Sequence, residues 1–229
     1  MTLSLLLDNA DPAIWGKWFR SGIFHGITTN PTLLKEAGQP CNLPRLKLLA
    51  QEAQKIGCKE LHIQAWGQTT NEIVDCGISI GNLSTPQMHV FVKIPITKTG
   101  SEAAKELIKS NTLITFTACY EAKQVLIASS LGANYLAPYL GRIDDQGKDG
   151  AAELLTMQKI LEGTCSTCKI LVASIRDSSQ INYLASKGIS TFTINERIAK
   201  DLFKSKLTIE AAINLNKTQD LVSKKIALN

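Results

Sequence analysis

The chain is poor in the residues that build metal centres. Its three histidines, His25, His62 and His89, lie far apart in 229 residues. None has ligand spacing to another histidine or to a cysteine pair, so no metal is expected. No apolar run is long enough to span a membrane, and the first one stops at Asp8. The start, Met1 to Asp8, lacks a basic n-region and a cleavage site, so a cytoplasmic protein with reduced thiols is expected. Lysines and arginines give a formal charge of +5 but never cluster, which leaves nucleic-acid binding without a footprint. The mild positive bias does suit small anionic substrates. A Gly-rich dinucleotide loop after the first strand is missing, which argues against an open doubly wound sheet. Of six cysteines, only Cys165-Ser166-Thr167-Cys168 has suggestive spacing. It follows a helix and precedes a strand, whereas a redox pair is expected at a helix N-terminus, so a plain loop is the better reading.

What the chain does have is alternation. Short β-branched strands are predicted at Leu3–Asp8, Gly26–Thr28, Glu60–Gln64, Val90–Pro95, Thr112–Thr117, Tyr135–Pro138, Lys169–Ser174 and Ser190–Ile194. Helices are predicted between them, at Asp11–Arg20, Leu46–Ile56, Asn71–Leu83, Ser101–Ser110, Glu121–Ser130, Ala151–Glu162 and Ser178–Ser186. Asn30-Pro31 reads as a turn. About eight strand-plus-helix units make a (β/α)₈ TIM barrel the expected fold. No linker or composition shift divides it, so residues 1–229 are read as one domain with additional C-terminal helices. The tail, 196–229, exceeds what a barrel needs and is expected to pack on the barrel or on a neighbouring subunit. Its last stretch carries Ile209, Ala212, Ile213, Leu221, Val222 and Ile226, an amphipathic pattern.

One lysine stands inside a strand. Lys93 falls in His89-Val90-Phe91-Val92-Lys93-Ile94-Pro95-Ile96, an apolar run. Burial disfavours the ammonium, and a neutral amine is a nucleophile for carbonyl carbon. The plainer alternative is a packed stem with its head in water. Barrel active sites lie at the C-terminal strand ends. Those ends carry Asp8, then Thr28-Thr29-Asn30, Gln64, Lys93, Thr115 and Thr117, Tyr139 and Arg142, Ser174 and Arg176, and last Asn195. Each has a bland role, such as a turn former or an Arg142 pairing with Asp144 or Asp145. Together they put an amine, a carboxylate, amides, hydroxyls and two guanidiniums on one face. Such a set suits imine formation, proton movement and phosphate binding.

At these residues the sequence resembles the transaldolase and fructose-6-phosphate aldolase family. The matches are Gly26-Ile27-Thr28-Thr29-Asn30-Pro31, Val92-Lys93-Ile94-Pro95, the run Gly132 to Asp144, and Ala173-Ser174-Ile175-Arg176. The resemblance implies a barrel doing Schiff-base aldol chemistry with no cofactor. It implies Lys93 as the imine lysine and Asp8 as the carboxylate handling the sugar hydroxyl proton. Thr28 and Asn30 would hold the dihydroxyacetone end, and Gln64 and Thr117 the catalytic water. Arg142, Ser174 and Arg176 would grip a phosphate, which planar guanidiniums suit. Gln64 and Tyr139 match the aldolase branch, where a tyrosine hydroxyl joins the proton relay. Arg176 and Gly141-Arg142-Ile143-Asp144-Asp145 look more like the transaldolase branch. The partners so implied are sugar phosphates and further copies of the chain, since short members commonly form rings, often decamers. A barrel that binds sugar phosphate without turnover is the rival from another class; it would have no use for a buried Lys93.

Overall fold

The computed structural model describes residues 2–226, and side chains for residues 2–219. Strands β1 (Ser4–Asp8), β2 (Phe24–Thr28), β3 (Glu60–Gln64), β4 (His89–Pro95), β5 (Leu113–Cys119), β6 (Tyr135–Pro138), β7 (Lys169–Val172) and β8 (Thr191–Ile194) are parallel. They close into a barrel in chain order, with β8 pairing back onto β1. Helices surround it: α1 (Pro12–Phe19), α2 (Pro31–Glu36), α3 (Leu43–Lys55), α4 (Thr70–Gly81), α5 (Lys98–Lys109), α6 (Gln124–Leu131), α7 (Leu140–Asp144), α8 (Gly150–Gly163), α9 (Ser178–Ser186), α10 (Glu196–Leu202) and α11 (Lys206–Ile226).

Strand alternation explains the two hydrophobic layers. Leu61, Ile63, Val92, Ile94, Ile114 and Phe116 point outward and join the main core against the helices. Leu6, Phe91, Tyr135, Ala137 and Leu171 point inward and form a smaller cluster in the bore. The inward positions above and between them are polar: His62, Lys93, Thr115, Thr117 and Thr193 are all buried.

Several boundaries differ from the sequence reading, each for a local reason. Asn30 is not merely a turn residue; its side chain accepts from Leu33 N at 3.0 Å and caps α2, an unexpected short helix opened by Pro31. The helix α3 starts at Leu43, because Asn42 caps it and Pro44 fits its first turn. The start of α5 moves back to Lys98, capped by Thr97. The strand β7 stops at Val172 rather than Ser174, since Ser174 turns left-handed at φ 60°.

The tail divides. Ile198 and Ala199 of α10 are buried on the barrel. Residues 206–219 of α11 are all exposed, so this part does not pack on the barrel as one of the two expectations had it. Leu221, Val222 and Ile226 lie outside the described side chains, and Ala227 outside the described residues. Among the described residues, no helix is long and apolar enough to cross a membrane.

Candidate active site

A cavity of about 390 Å³ opens at the C-terminal mouth of the barrel. Nine of the ten site residues expected from sequence line it: Asp8, Thr28, Asn30, Gln64, Lys93, Thr117, Tyr139, Arg142 and Ser174. They come from seven of the strands or the loops after them, so only barrel closure brings them together.

Lys93 is 5% exposed, at the level of the pocket floor. Strand register sets Gln64 on one side of it and Thr115 on the other. Its Nζ donates to the Thr29 carbonyl at 3.0 Å. Burial pushes the amine below the ordinary lysine range, and the negative charge of Asp8 only partly opposes this. Thr28 Oγ1 donates to Asp8 Oδ1 at 2.6 Å and also contacts Thr193 Oγ1. With Thr28 donating to the carboxylate, Thr193 is left to donate to Thr28. Asp8 is thereby held in one orientation beside the amine.

On the far wall, the Tyr139 hydroxyl and Thr117 Oγ1 are 2.9 Å apart. Burial raises the Tyr139 phenol above its usual range, against the Thr117 hydrogen bond, so it holds its proton at neutral pH. The edge of Tyr120 meets the Tyr139 ring at 5.7 Å between centroids. Arg142 lies over that ring, 5.0 Å from its centroid, rather than pairing with Asp144 or Asp145.

The loops after β6 and β7 are drawn close by Gly141. Its N–H donates to the Ser174 carbonyl at 2.9 Å. A Cβ there would fall 2.5 Å from that oxygen and 2.6 Å from Arg176 Nε, so only glycine fits. Arg176 is the tenth expected residue, and it stays outside the cavity. Its guanidinium pairs with Asp145 at the exposed rim. Its backbone N–H donates to Gln180 Oε1, and its carbonyl accepts from Arg197.

Sequence reasoning missed Thr193, Thr29 and Glu36. Thr193 alternates with Thr191 along β8, and that period was the available signal. Thr29 acts through its carbonyl, which no sequence pattern reveals. Glu36 reaches the cavity from α2, a helix not expected. Cys119 is fully buried and does not line the cavity. Asn195, at the eighth strand end, caps α10 instead. Cys165 is exposed, and burial pushes the Cys168 thiol up to about 12, which argues against an activated pair. Among the described residues no group of three His, Cys, Asp or Glu is placed to hold a metal ion.

A closed parallel barrel with a buried amine among proton carriers at its C-terminal mouth defines a class: a (β/α)₈-barrel enzyme of the aldolase/transaldolase type. The sequence pattern of the transaldolase/fructose-6-phosphate aldolase family matches residues 5–229, and the chain belongs to that family. Among curated relatives, a probable transaldolase of Caulobacter vibrioides is 30% identical, the match covering 90% of this chain and 91% of the relative. One from Caulobacter sp. strain K31 is also 30% identical over the same shares. Among solved structures, a mutant flavocytochrome b2 with pyruvate bound superposes with a TM-score of 0.59 at 11% identity. That match covers 85% of this chain and 57% of the other, and it supports the fold alone.

Proposed function

We propose that the protein moves a dihydroxyacetone unit through an imine on Lys93, and that it works as an aldolase on a phosphorylated ketose such as fructose 6-phosphate. The observation that carries this reading is the amine itself: buried, depressed by desolvation, and sharing one cavity with Asp8 and Gln64. A neutral Nζ attacks the ketose C2 carbonyl and gives a carbinolamine. Loss of water, with protons passed among Gln64-bound water, Thr117 and Tyr139, leaves the iminium. Asp8 then takes the proton from the C4 hydroxyl. The C3–C4 bond breaks, the aldehyde leaves, and the bonding pair stays with C3, flowing into the iminium to give an enamine. Ser174 and Arg142 hold the phosphate of the departing aldehyde, with Arg176 joining from the rim.

The fate of the enamine separates the two branches. Tyr139, protonated and hydrogen-bonded to Thr117, is suited to return a proton through water and release dihydroxyacetone. Gln64 cannot titrate, so it only positions that water. The second reading, transfer to an acceptor aldose phosphate, is favoured by the names of the relatives, which are probable transaldolases.

The decisive assay follows glyceraldehyde 3-phosphate release from fructose 6-phosphate, with and without erythrose 4-phosphate. Sustained turnover without acceptor is expected. Turnover only with acceptor would assign the enzyme to the transfer branch. Borohydride is expected to trap a ketose on Lys93, and Lys93→Ala to abolish both label and activity. A purely binding barrel would lose little affinity on that substitution.

A further inference from the structure

The cavity is short of positive charge for a phosphate. Its charged lining residues are Asp8, Glu36, Lys93 and Arg142, two acids and two bases. Burial favours the neutral form of Lys93, which leaves Arg142 as the dependable cation. A phosphate monoester brings close to two negative charges at neutral pH, and one guanidinium does not balance them. A second guanidinium stands at the edge. Arg176 follows by two positions Ser174, a cavity-lining residue held at φ 60°. Its stem crosses Gly141, with Cγ 2.9 Å and Nε 2.6 Å from where a Cβ would stand. Gly141 lies between Tyr139 and Arg142 in the chain, both of which line the cavity, so Arg176 Nε already borders the cavity wall.

Two consecutive aspartates act on this corner in different ways. Asp144 belongs to the frame: its Oδ1 accepts from Gly150 N at 3.0 Å and its Oδ2 from Gln180 Nε2 at 3.1 Å. Gln180 Oε1 accepts from Arg176 N at 2.9 Å, and Arg197 Nη2 donates to the Arg176 carbonyl at 2.7 Å. The Arg176 backbone is therefore tied on both sides. Asp145 acts on the other end of the residue, pairing with the guanidinium at Nη2. The two side chains are 54% and 50% exposed, Arg176 and Asp145 in that order. A pair this wet is weak and exchanges readily. Rotation about the last side-chain torsions frees the guanidinium and leaves the backbone in place.

We propose that Asp145 is a specificity-determining residue: it competes with the substrate phosphate for the Arg176 guanidinium, and so sets how tightly phosphorylated ligands are held. The inference rests on the sugar-phosphate reading of the site. A phosphate seated on Ser174 and Arg142 is a stronger acceptor for a guanidinium fork than a solvated carboxylate, so it draws Arg176 in from the rim. As the aldehyde phosphate departs, the carboxylate takes the guanidinium back. Asp145 thus weakens the binding of phosphorylated substrate and product alike, and it leaves ligands without a phosphate unaffected.

The test reads fructose 6-phosphate affinity in two ways: KM with Lys93 in place, and titration calorimetry in the Lys93→Ala protein, where no imine forms. Asp145→Asn keeps the volume and removes the charge. It is expected to tighten fructose 6-phosphate about two- to fivefold in both measurements, the range an exposed ion pair allows. KM for dihydroxyacetone, which carries no phosphate, is expected to stay put. Arg176→Gln is expected to weaken fructose 6-phosphate by about tenfold, the weight of a charge-assisted contact, and Asp145→Asn to bring no gain in that background. An unchanged affinity in Asp145→Asn overturns the inference. So does a gain that survives Arg176→Gln, since the carboxylate would then act on the phosphate through space, and so does an equal gain for dihydroxyacetone. A protein that borohydride leaves unlabelled at Lys93, but whose fructose 6-phosphate affinity follows the expected pattern, loses the imine reading and keeps the competition at Arg176. One that binds no fructose 6-phosphate loses both.

Discussion

At the residue scale, the site works by contrast between neighbours. Lys93 and Tyr139 are pushed in opposite senses by the same cause, burial, because one form is charged when protonated and the other when deprotonated. Burial thus favours the neutral form of each, the form in which the amine is a nucleophile and the phenol a proton donor. Tyr139→Phe removes only the donor. Acceptor-free release of glyceraldehyde 3-phosphate is expected to fall by about 10² or more, the usual weight of a general acid. Borohydride labelling of Lys93 should persist in that variant, and its loss would show that the hydroxyl is needed earlier. His62 and Glu60, 3.5 Å apart, also predict a pH effect on stability. Burial holds His62 below the ordinary histidine range, although Glu60 opposes it. Burial raises Glu60, but the close approach of the His62 ring, with help from His25 and the Tyr135 hydroxyl, outweighs it and leaves the carboxyl lowered. Both groups take up protons more readily in the unfolded chain. Stability is therefore full above the unfolded histidine value near 6.5 and declines as pH falls past it, with the Glu60 share lost below about 4.5. The drop in Tm between roughly pH 7.5 and pH 5 should be smaller in His62→Phe than in wild type.

At the element scale, small residues let layers approach. Gly77 on α4 faces Leu107 on α5, and a Cβ there would meet Leu107 Cδ1 at 2.6 Å. Leu107 is fully buried in that contact. Truncating it to alanine is expected to cost about 2–5 kcal/mol in urea unfolding, with little change in KM. Gly141 is the counterpart at the site. Gly141→Ala forces the β6–α7 corner away from Ser174 and Arg176, at a cost of about 1–3 kcal/mol. It should raise KM for fructose 6-phosphate more than KM for unphosphorylated dihydroxyacetone. Equal effects on both would mean that the corner supports the barrel rather than the phosphate grip. The short helices α2 and α7 were not legible beforehand. Each is under two turns long, too short for a 3.6-residue period to emerge, and only α2 announces itself through its Asn-Pro start.

At the scale of the whole molecule, α11 is the open question the architecture poses. Leu207, Ile209, Ile213 and Leu215 are exposed on its described part. Large apolar side chains left in water on both sides of a helix are unfavourable unless something covers them. Docking on a second copy of the chain fits the expectation of an oligomer. Sedimentation at a mass well above 24.9 kDa is expected, and truncation after Lys204 should return a folded monomer. A wild-type monomer at all concentrations would sink this idea.

The sequence by itself determined the order of strands and helices, the closed barrel as its simplest closure, and the polar residue at each strand end. Those features are local: period, capping and turn chemistry are written in residues a few positions apart. The tertiary structure decided what depends on distant residues meeting. Arg176 was expected, from the family resemblance, to face the pocket and grip a phosphate, yet Asp145, 31 positions away, holds it at the rim. His62 was read only as a histidine too isolated to bind metal. Closing the barrel sets it against Thr115, 53 positions on, and buries it in the bore of the barrel. Whether a buried base is inert or functional depends on which charges share its low-dielectric surroundings, and only the fold selects them.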